Sequence, residues 1–204
     1  EHVDFAYTPG SPVLQDVSLA IARGDFVALL GHNGSGKTTL VKHLNALLAP
    51  ASGTVLFAGE PVSRIGPAGM GRHVGFVFQN PAHMLFAANA FEEVAFGLRN
   101  RGRTGAPLAQ HVAAALAKVG LAGRELADPF LLTKGERQKL AVACVLACEP
   151  EVLILDEPTT GLDATEQTAM LGLLTALNRA GHTIVIVTHA LDVAAQYARR
   201  VVLM

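Results

Sequence analysis

The chain has 204 residues, half of them hydrophobic and 16% charged, with a formal net charge of −1. That is enough chain for one substantial core with room for a smaller subdomain, and it is too apolar for a disordered protein. The near-neutral balance gives no electrostatic case for nucleic acid as the main partner, so no nucleic-acid partner is expected.

A mean hydropathy of +0.36 fits either a well-buried α/β core or a surface partly covered by partners. Cys144 and Cys148 stand four apart in an apolar segment. Adjacent turns of one helix orient thiols poorly for a disulfide, and no His/Cys cluster suggests zinc, so both are expected to be reduced core residues of a cytosolic protein. No apolar run reaches the roughly 18 residues of a membrane span, and no signal peptide opens the sequence. The chain starts at Glu1 and stops in a strand-like Val-Val-Leu-Met run, as expected of a domain trimmed from something longer.

In chain order, "HVDFAY" and "VLQDVSLAI" pattern as strands, split by the turn-like "TPGSP". "DFVALLG" is a short apolar strand ending in a glycine loop, and a helix is expected from Lys37 to about Leu48, closed by Pro50 and Ser52-Gly53. "TVLFAG" and "HVGFVF" read as further strands. Residues 81–131 carry helical patterning, broken at "RGRTGAP" and "DPF". "EVLILDEP" and "TIVIVTH" are buried strands, with helices expected over 165–180 and 191–199. Short apolar strands alternating with helices imply an α/β fold, with a mainly parallel sheet covered on both faces and a helical insertion in the middle.

"GHNGSGKTT", residues 31–39, satisfies G-x-x-x-x-G-K-[ST] between a strand and a helix. Gly31, Gly34 and Gly36 permit the backbone angles that aim N–H groups at phosphate oxygens, with Asn33, Ser35 and Thr39 completing the stretch. Lys37 suits the β- and γ-phosphates, and the Thr38 hydroxyl suits Mg²⁺. In "VLILDEP" four apolar residues bury a strand and present Asp156 and Glu157 at its carboxyl end, where α/β sheets place ligands. Asp156 suits the Mg²⁺ shell, and Glu157 suits a general base that orients water. Together these residues describe a Mg²⁺-nucleotide site.

The order of motifs resembles the ATP-binding cassette (ABC) ATPases over essentially the whole chain. The phosphate loop is followed by "FVFQNP", "LTKGERQ", "LILDEP", "GLD" and "VTH". The resemblance implies a P-loop NTPase fold in one domain, residues 1–204, with an N-terminal antiparallel β subdomain and a helical subdomain over about 82–148. It implies ATP and Mg²⁺ as ligands, with Tyr7 as the aromatic under adenine and Gln79 as a sensor of Mg²⁺ and γ-phosphate that relays to a membrane partner. His189 is implied as the switch histidine, and Asp163 as a residue communicating across a dimer of cassettes. In that dimer each phosphate loop pairs with the other chain's signature. "FQNPAHMLFAANAFEEVAFGLRN" is most similar to the energy-coupling-factor group, which imports vitamins or transition-metal ions. That implies a second ATPase subunit, an integral membrane subunit, and a peripheral location on the cytoplasmic face of the cell membrane.

The signature departs from the family's Leu-Ser-Gly-Gly-Gln, reading Leu132-Thr133-Lys134-Gly135-Glu136. Thr133 keeps a hydroxyl, and Gly135 keeps a site of close backbone approach. Thr133 and Glu136 form a capping-box pattern, so Glu136 is expected to turn back to the Thr133 N–H, away from phosphate. Lys134 is either a solvated helix-start lysine, opposing the helix dipole, or a cation serving the partner's phosphate. A nucleotide-holding regulatory cassette and a soluble ABC protein of translation or DNA repair are the alternatives. The intact Glu157 argues against the first. The second would bring a long inserted coiled coil or a basic two-cassette chain, and neither is visible here.

Overall fold

The computed structural model describes residues 1–204. Strands β1 (Val3–Thr8) and β2 (Ser11–Val17) form an antiparallel hairpin around the expected turn. β3 (Phe26–Leu30) leads into the phosphate loop and helix α1 (Lys37–Leu44). The two-residue strands β4 (Leu56–Phe57) and β5 (Glu60–Pro61) pair with each other and precede α2 (Val62–Met70) and β6 (Val74–Val77). Helices α3 (Ala90–Asn100), α4 (Gly105–Lys118) and α5 (Lys134–Leu146) follow, with 3₁₀ turns at Pro81–His83 and Pro129–Leu131. β7 (Val152–Asp156), α6 (Ala164–Arg179), β8 (Thr183–Thr188), α7 (Leu191–Tyr197) and β9 (Arg200–Leu203) complete the chain.

Five strands make one parallel sheet in the order β6-β7-β8-β3-β9. Its strands are apolar throughout because both faces are covered. Phe26, Ala28, Leu153, Leu155, Ile184 and Ile186 face a large core that includes residues of α3 to α7, while Val27, Leu29, Ile154, Val185 and Val187 face a second core with Leu14 of the hairpin and Leu40 and Val41 of α1. This period-two division follows from the strand geometry. α5 packs directly on β6 at Gly75, where any Cβ would run into Val145. No helix is long and apolar enough to cross a membrane.

Several local expectations need correction. The strand expected over residues 13–21 ends at Val17, just after Asp16 turns to φ 49°. The helix expected to reach Leu48 stops at Leu44, because Asn45 Oδ1 accepts the Leu47 N–H and Ala46 takes φ 62°. "TVLFAG" holds only two strand residues, since Ala58 and Gly59, both at positive φ, turn the chain straight into β5. α2 was not expected from the sequence, and it is interrupted at Gly66, φ 71°, just before Pro67. Cys148 lies beyond the end of α5 rather than on it; both thiols are free and half-buried.

Candidate nucleotide site

The parallel sheet brings its carboxyl ends to one edge, and the motif residues collect there. The phosphate loop follows β3, Gln79 follows β6, Asp156 ends β7 with Glu157 beyond it, and His189 follows β8. A cleft of about 340 Å³ is lined by Tyr7, Asn33, Gly34, Gly36, Lys37, Thr38, Thr39, Gln79, Asp156 and Glu157, together with Val13 and Val187. Ten of the residues singled out in the sequence therefore share one cavity.

Gly36 caps α1 at φ 94°, a left-handed conformation that suits glycine, and a Cβ there would press on Val13 and Leu14. Gly31 is required by close approach, since its Cβ would stand 2.7 Å from Ser35 Oγ. Lys37 is buried, and its Nζ donates to the carbonyls of Gly31 and His32, both at 2.9 Å. The ammonium thus folds the loop around itself. Ser35 Oγ is buried without a hydrogen-bond partner, an unmet polar group in a loop built to receive oxygens.

Thr38 Oγ1 donates to Asp156 Oδ2 at 2.8 Å. Burial raises the Asp156 carboxyl above its ordinary range, an effect opposed by the Thr38 hydroxyl and reinforced by the neighbouring Glu157 charge. No group of three His, Cys, Asp or Glu side chains surrounds a common point. A hydroxyl and one carboxylate facing a phosphate loop fit Mg²⁺, which keeps waters and takes ligands from the nucleotide; they do not fit an all-protein metal cage.

Glu157 is buried at φ 50°, an unusual angle for a residue with a Cβ. Both of its carboxylate oxygens are engaged: Oε1 pairs with His189 Nδ1 at 2.8 Å, and Oε2 accepts from Thr160 Oγ1 at 2.8 Å. Its own N–H donates to Val187 O on β8. Tyr7 is exposed and packs edge-on to Phe5 with ring centres 4.9 Å apart; its hydroxyl lies 3.2 Å from Thr39 Oγ1.

The signature stands apart from this cleft. Thr133 Oγ1 accepts from Glu136 N, and Glu136 accepts from Thr133 N, so the capping box forms and Glu136 turns back as expected. Arg124 also binds Glu136. Gly135 is buried against the Glu166 carboxylate, and Asp163 caps α6 with Glu166. Sequence reasoning missed Thr160 and Glu166. Both lie between or just after motifs, and only long-range packing reveals what they touch.

A strand, a phosphate loop, a helix and a strand-end Asp-Glu pair together define a P-loop nucleotide hydrolase. The family model described as ABC transporter matches residues 14–160. The structure superposes on CbiO1 of Clostridium perfringens, part of the ABC transporter complex cbiONQ, with TM-score 0.93 and 36% identity, covering all of this chain and 82% of that one. It superposes on the ATP-binding cassette MJ0796, dimeric in a post-hydrolysis state with ADP and Pi, with TM-score 0.89 and 28% identity, covering 100% and 92%. The chain belongs to the ABC transporter family and is an ATPase domain of that family.

Among curated relatives, an energy-coupling factor transporter ATP-binding protein EcfA of Methanothermobacter thermautotrophicus is 40% identical over 201 residues, 98% of this chain and 65% of that protein. A protein of Caldanaerobacter subterraneus, provisionally named an ABC transporter ATP-binding protein, is 48% identical over 202 residues. The chain spans about a third of the length of several such relatives, 36% of that protein and 33% of one from Methanosarcina acetivorans.

Proposed function

We propose that this chain is the ATP-hydrolysing part of an ABC importer of energy-coupling-factor type, driving uptake of a vitamin or transition-metal ion. The observation that carries the reading is the pairing at the cleft: Asp156 on Thr38 beside the phosphate loop, and Glu157 held between His189 and Thr160. The names of EcfA and of CbiO1 in its complex support the importer class.

Lys37 and the loop residues Gly31, Asn33, Gly34, Ser35, Gly36 and Thr39 bind the phosphates of ATP, and Tyr7 supports adenine. Thr38, Asp156 and Gln79 would hold Mg²⁺, which supplies charge neutralisation on the β- and γ-phosphates. Glu157 orients the attacking water, and His189 contacts the γ-phosphate. Thr133, Lys134, Gly135, Glu136 and Asp163 act across a dimer, where this chain's signature completes a second cassette's site.

Residues 82–148 act as a helical subdomain facing the membrane subunit. An apolar groove lined by Phe76, Met84, Phe86 and Phe96 supports docking there, and Gln79 adjoins its rim in sequence. The Glu93 carboxylate binds the Phe86 and Ala87 N–H groups and holds that rim in shape. The chain then sits peripherally on the cytoplasmic face of the membrane.

The test is recovery of the purified chain on membranes from its host, compared with ribosomes, for the natural sequence and for Phe86→Glu. The importer reading expects membrane recovery that Phe86→Glu removes while ATP binding stays intact. Recovery with ribosomes, or membrane recovery indifferent to the substitution, contradicts it.

A further inference from the structure

We propose that Lys134 is a positioning residue for Glu157: its side chain ties the first turn of α5 to the loop that holds the base. The inference rests on the reading of Glu157 as the group that orients water.

Lys134 is costly where it stands. A cation in the first turn opposes the helix dipole, and the ammonium has no ion pair and no hydrogen bond. What it has is Gly161. Lys134 Nζ fills the space where a Gly161 Cβ would stand, and Cε and Cδ run alongside at 3.4 and 3.8 Å from that position. Gly161 sits at φ 72°, in the loop between β7 and α6.

The next residue of α5 grips the same loop. The Glu166 carboxylate fills the Cβ space of Gly135, and its Oε2 accepts from Asp163 N. Two consecutive signature residues therefore clasp the loop at Gly161 and at the start of α6. Thr160, directly before Gly161, is tied to the base twice. Its Oγ1 donates to Glu157 Oε2 at 2.8 Å, and its N–H donates to the Glu157 carbonyl at 3.2 Å. The link from signature to base is then Lys134, Gly161, Thr160, Glu157.

The full-length side chain carries this link, because Nζ makes the closest approach to the glycine, with Cε and Cδ alongside. Shortening it frees Gly161, lets the Thr160 hydroxyl leave the carboxylate, and leaves Glu157 oriented by His189 alone. Misorientation of a base affects turnover and leaves ATP binding alone. In the proposed dimer the same signature completes the second site, so the contact would also pass the state of one site to the base of the other.

The experiment compares the natural chain with Lys134→Ala, Lys134→Met, Thr160→Val and the Lys134→Ala/Thr160→Val double variant. Lys134→Ala is expected to lower kcat about tenfold, a larger change than any in KM for ATP. Lys134→Met keeps the stem but not Nζ, so it restores only part of the rate lost in Lys134→Ala. Thr160→Val lowers kcat similarly, and the double variant is no worse than Thr160→Val, because the link is already cut. Amide hydrogen exchange over residues 157–163 speeds up in Lys134→Ala while residues 31–38 are unchanged, and Tm does not fall.

Additive losses in the double variant, unchanged exchange, or a raised KM at constant kcat would overturn the proposal; the last points instead to direct contact with phosphate. Glu157→Gln separates the two readings. A rate that survives it refutes Glu157 as the base, and the exchange data still decide the Lys134 link.

Discussion

Asp156 and Glu157 are chain neighbours placed in different surroundings. Asp156 ends a buried strand, and burial raises its pKa, so its charge is a cost to the folded state in the absence of metal. The sign follows directly: that cost is present at neutral pH and is relieved as pH falls through the raised folded value towards the ordinary value of 3.8. Asp156→Asn keeps an oxygen for the Thr38 hydroxyl and removes the charge. It should raise Tm in metal-free buffer, where each kcal/mol released is worth roughly 2–4 °C in a chain of this size. It should also abolish the further rise that Mg²⁺ with ATP gives the natural chain. Melting curves of the two proteins with and without Mg²⁺ and ATP check both halves. Glu157, by contrast, sits at φ 50°, a departure that costs on the order of 1–3 kcal/mol and recurs at functional sites. Glu157→Gln should lower turnover by about 10²–10⁴-fold, the usual range for losing a general base, with nucleotide affinity retained.

At the scale of the element, α5 makes the clearest prediction. Thr133→Ala removes the hydroxyl that accepts from Glu136 N and should cost about 1 kcal/mol of stability, seen as a lowered Tm. Glu136 is held below the usual carboxylate range, first by the Thr133 N–H and then by Arg124. Its contribution is therefore present above 4.5 and lost as pH falls through the lowered folded value. Glu136→Gln has no such titration, so the stability gap between it and the natural chain should narrow below about pH 4.5 in pH-dependent melts. The cap was legible in the sequence because Thr133 and Glu136 lie within one turn. The phosphate loop and the Asp-Glu pair were legible for the same reason, each being a strand and its immediate end. α2 was not, since Gly66 and Pro67 inside it pattern as a turn. Neither was the clasp of Lys134 and Gly135 on the loop at Gly161 and Glu166, because it joins segments about 30 residues apart by packing, which no periodicity records.

At the scale of the whole molecule, the parallel sheet accounts for why motifs scattered from Tyr7 to His189 converge. Strand order β6-β7-β8-β3-β9 sets Gln79, Asp156 and His189 at or just beyond the carboxyl ends of adjacent strands, beside the phosphate loop that follows β3. The two-faced core behind them locks that order, and the cavity that Ile154→Ala would open on the Asp156 face of the sheet should cost about 2–5 kcal/mol. The signature is kept out of the cleft: Lys134 lies on Gly161 and Gly135 on Glu166 of α6, and none of Thr133 to Glu136 lines the nucleotide cavity. A site complete except for its signature is the reason to expect two cassettes working together. ATPase rate per molecule, measured across a range of protein concentrations for the natural chain and for Glu157→Gln, tests this most directly. A specific activity that rises with concentration in the natural chain and falls by orders of magnitude in Glu157→Gln is expected. A flat specific activity that survives the substitution would contradict it.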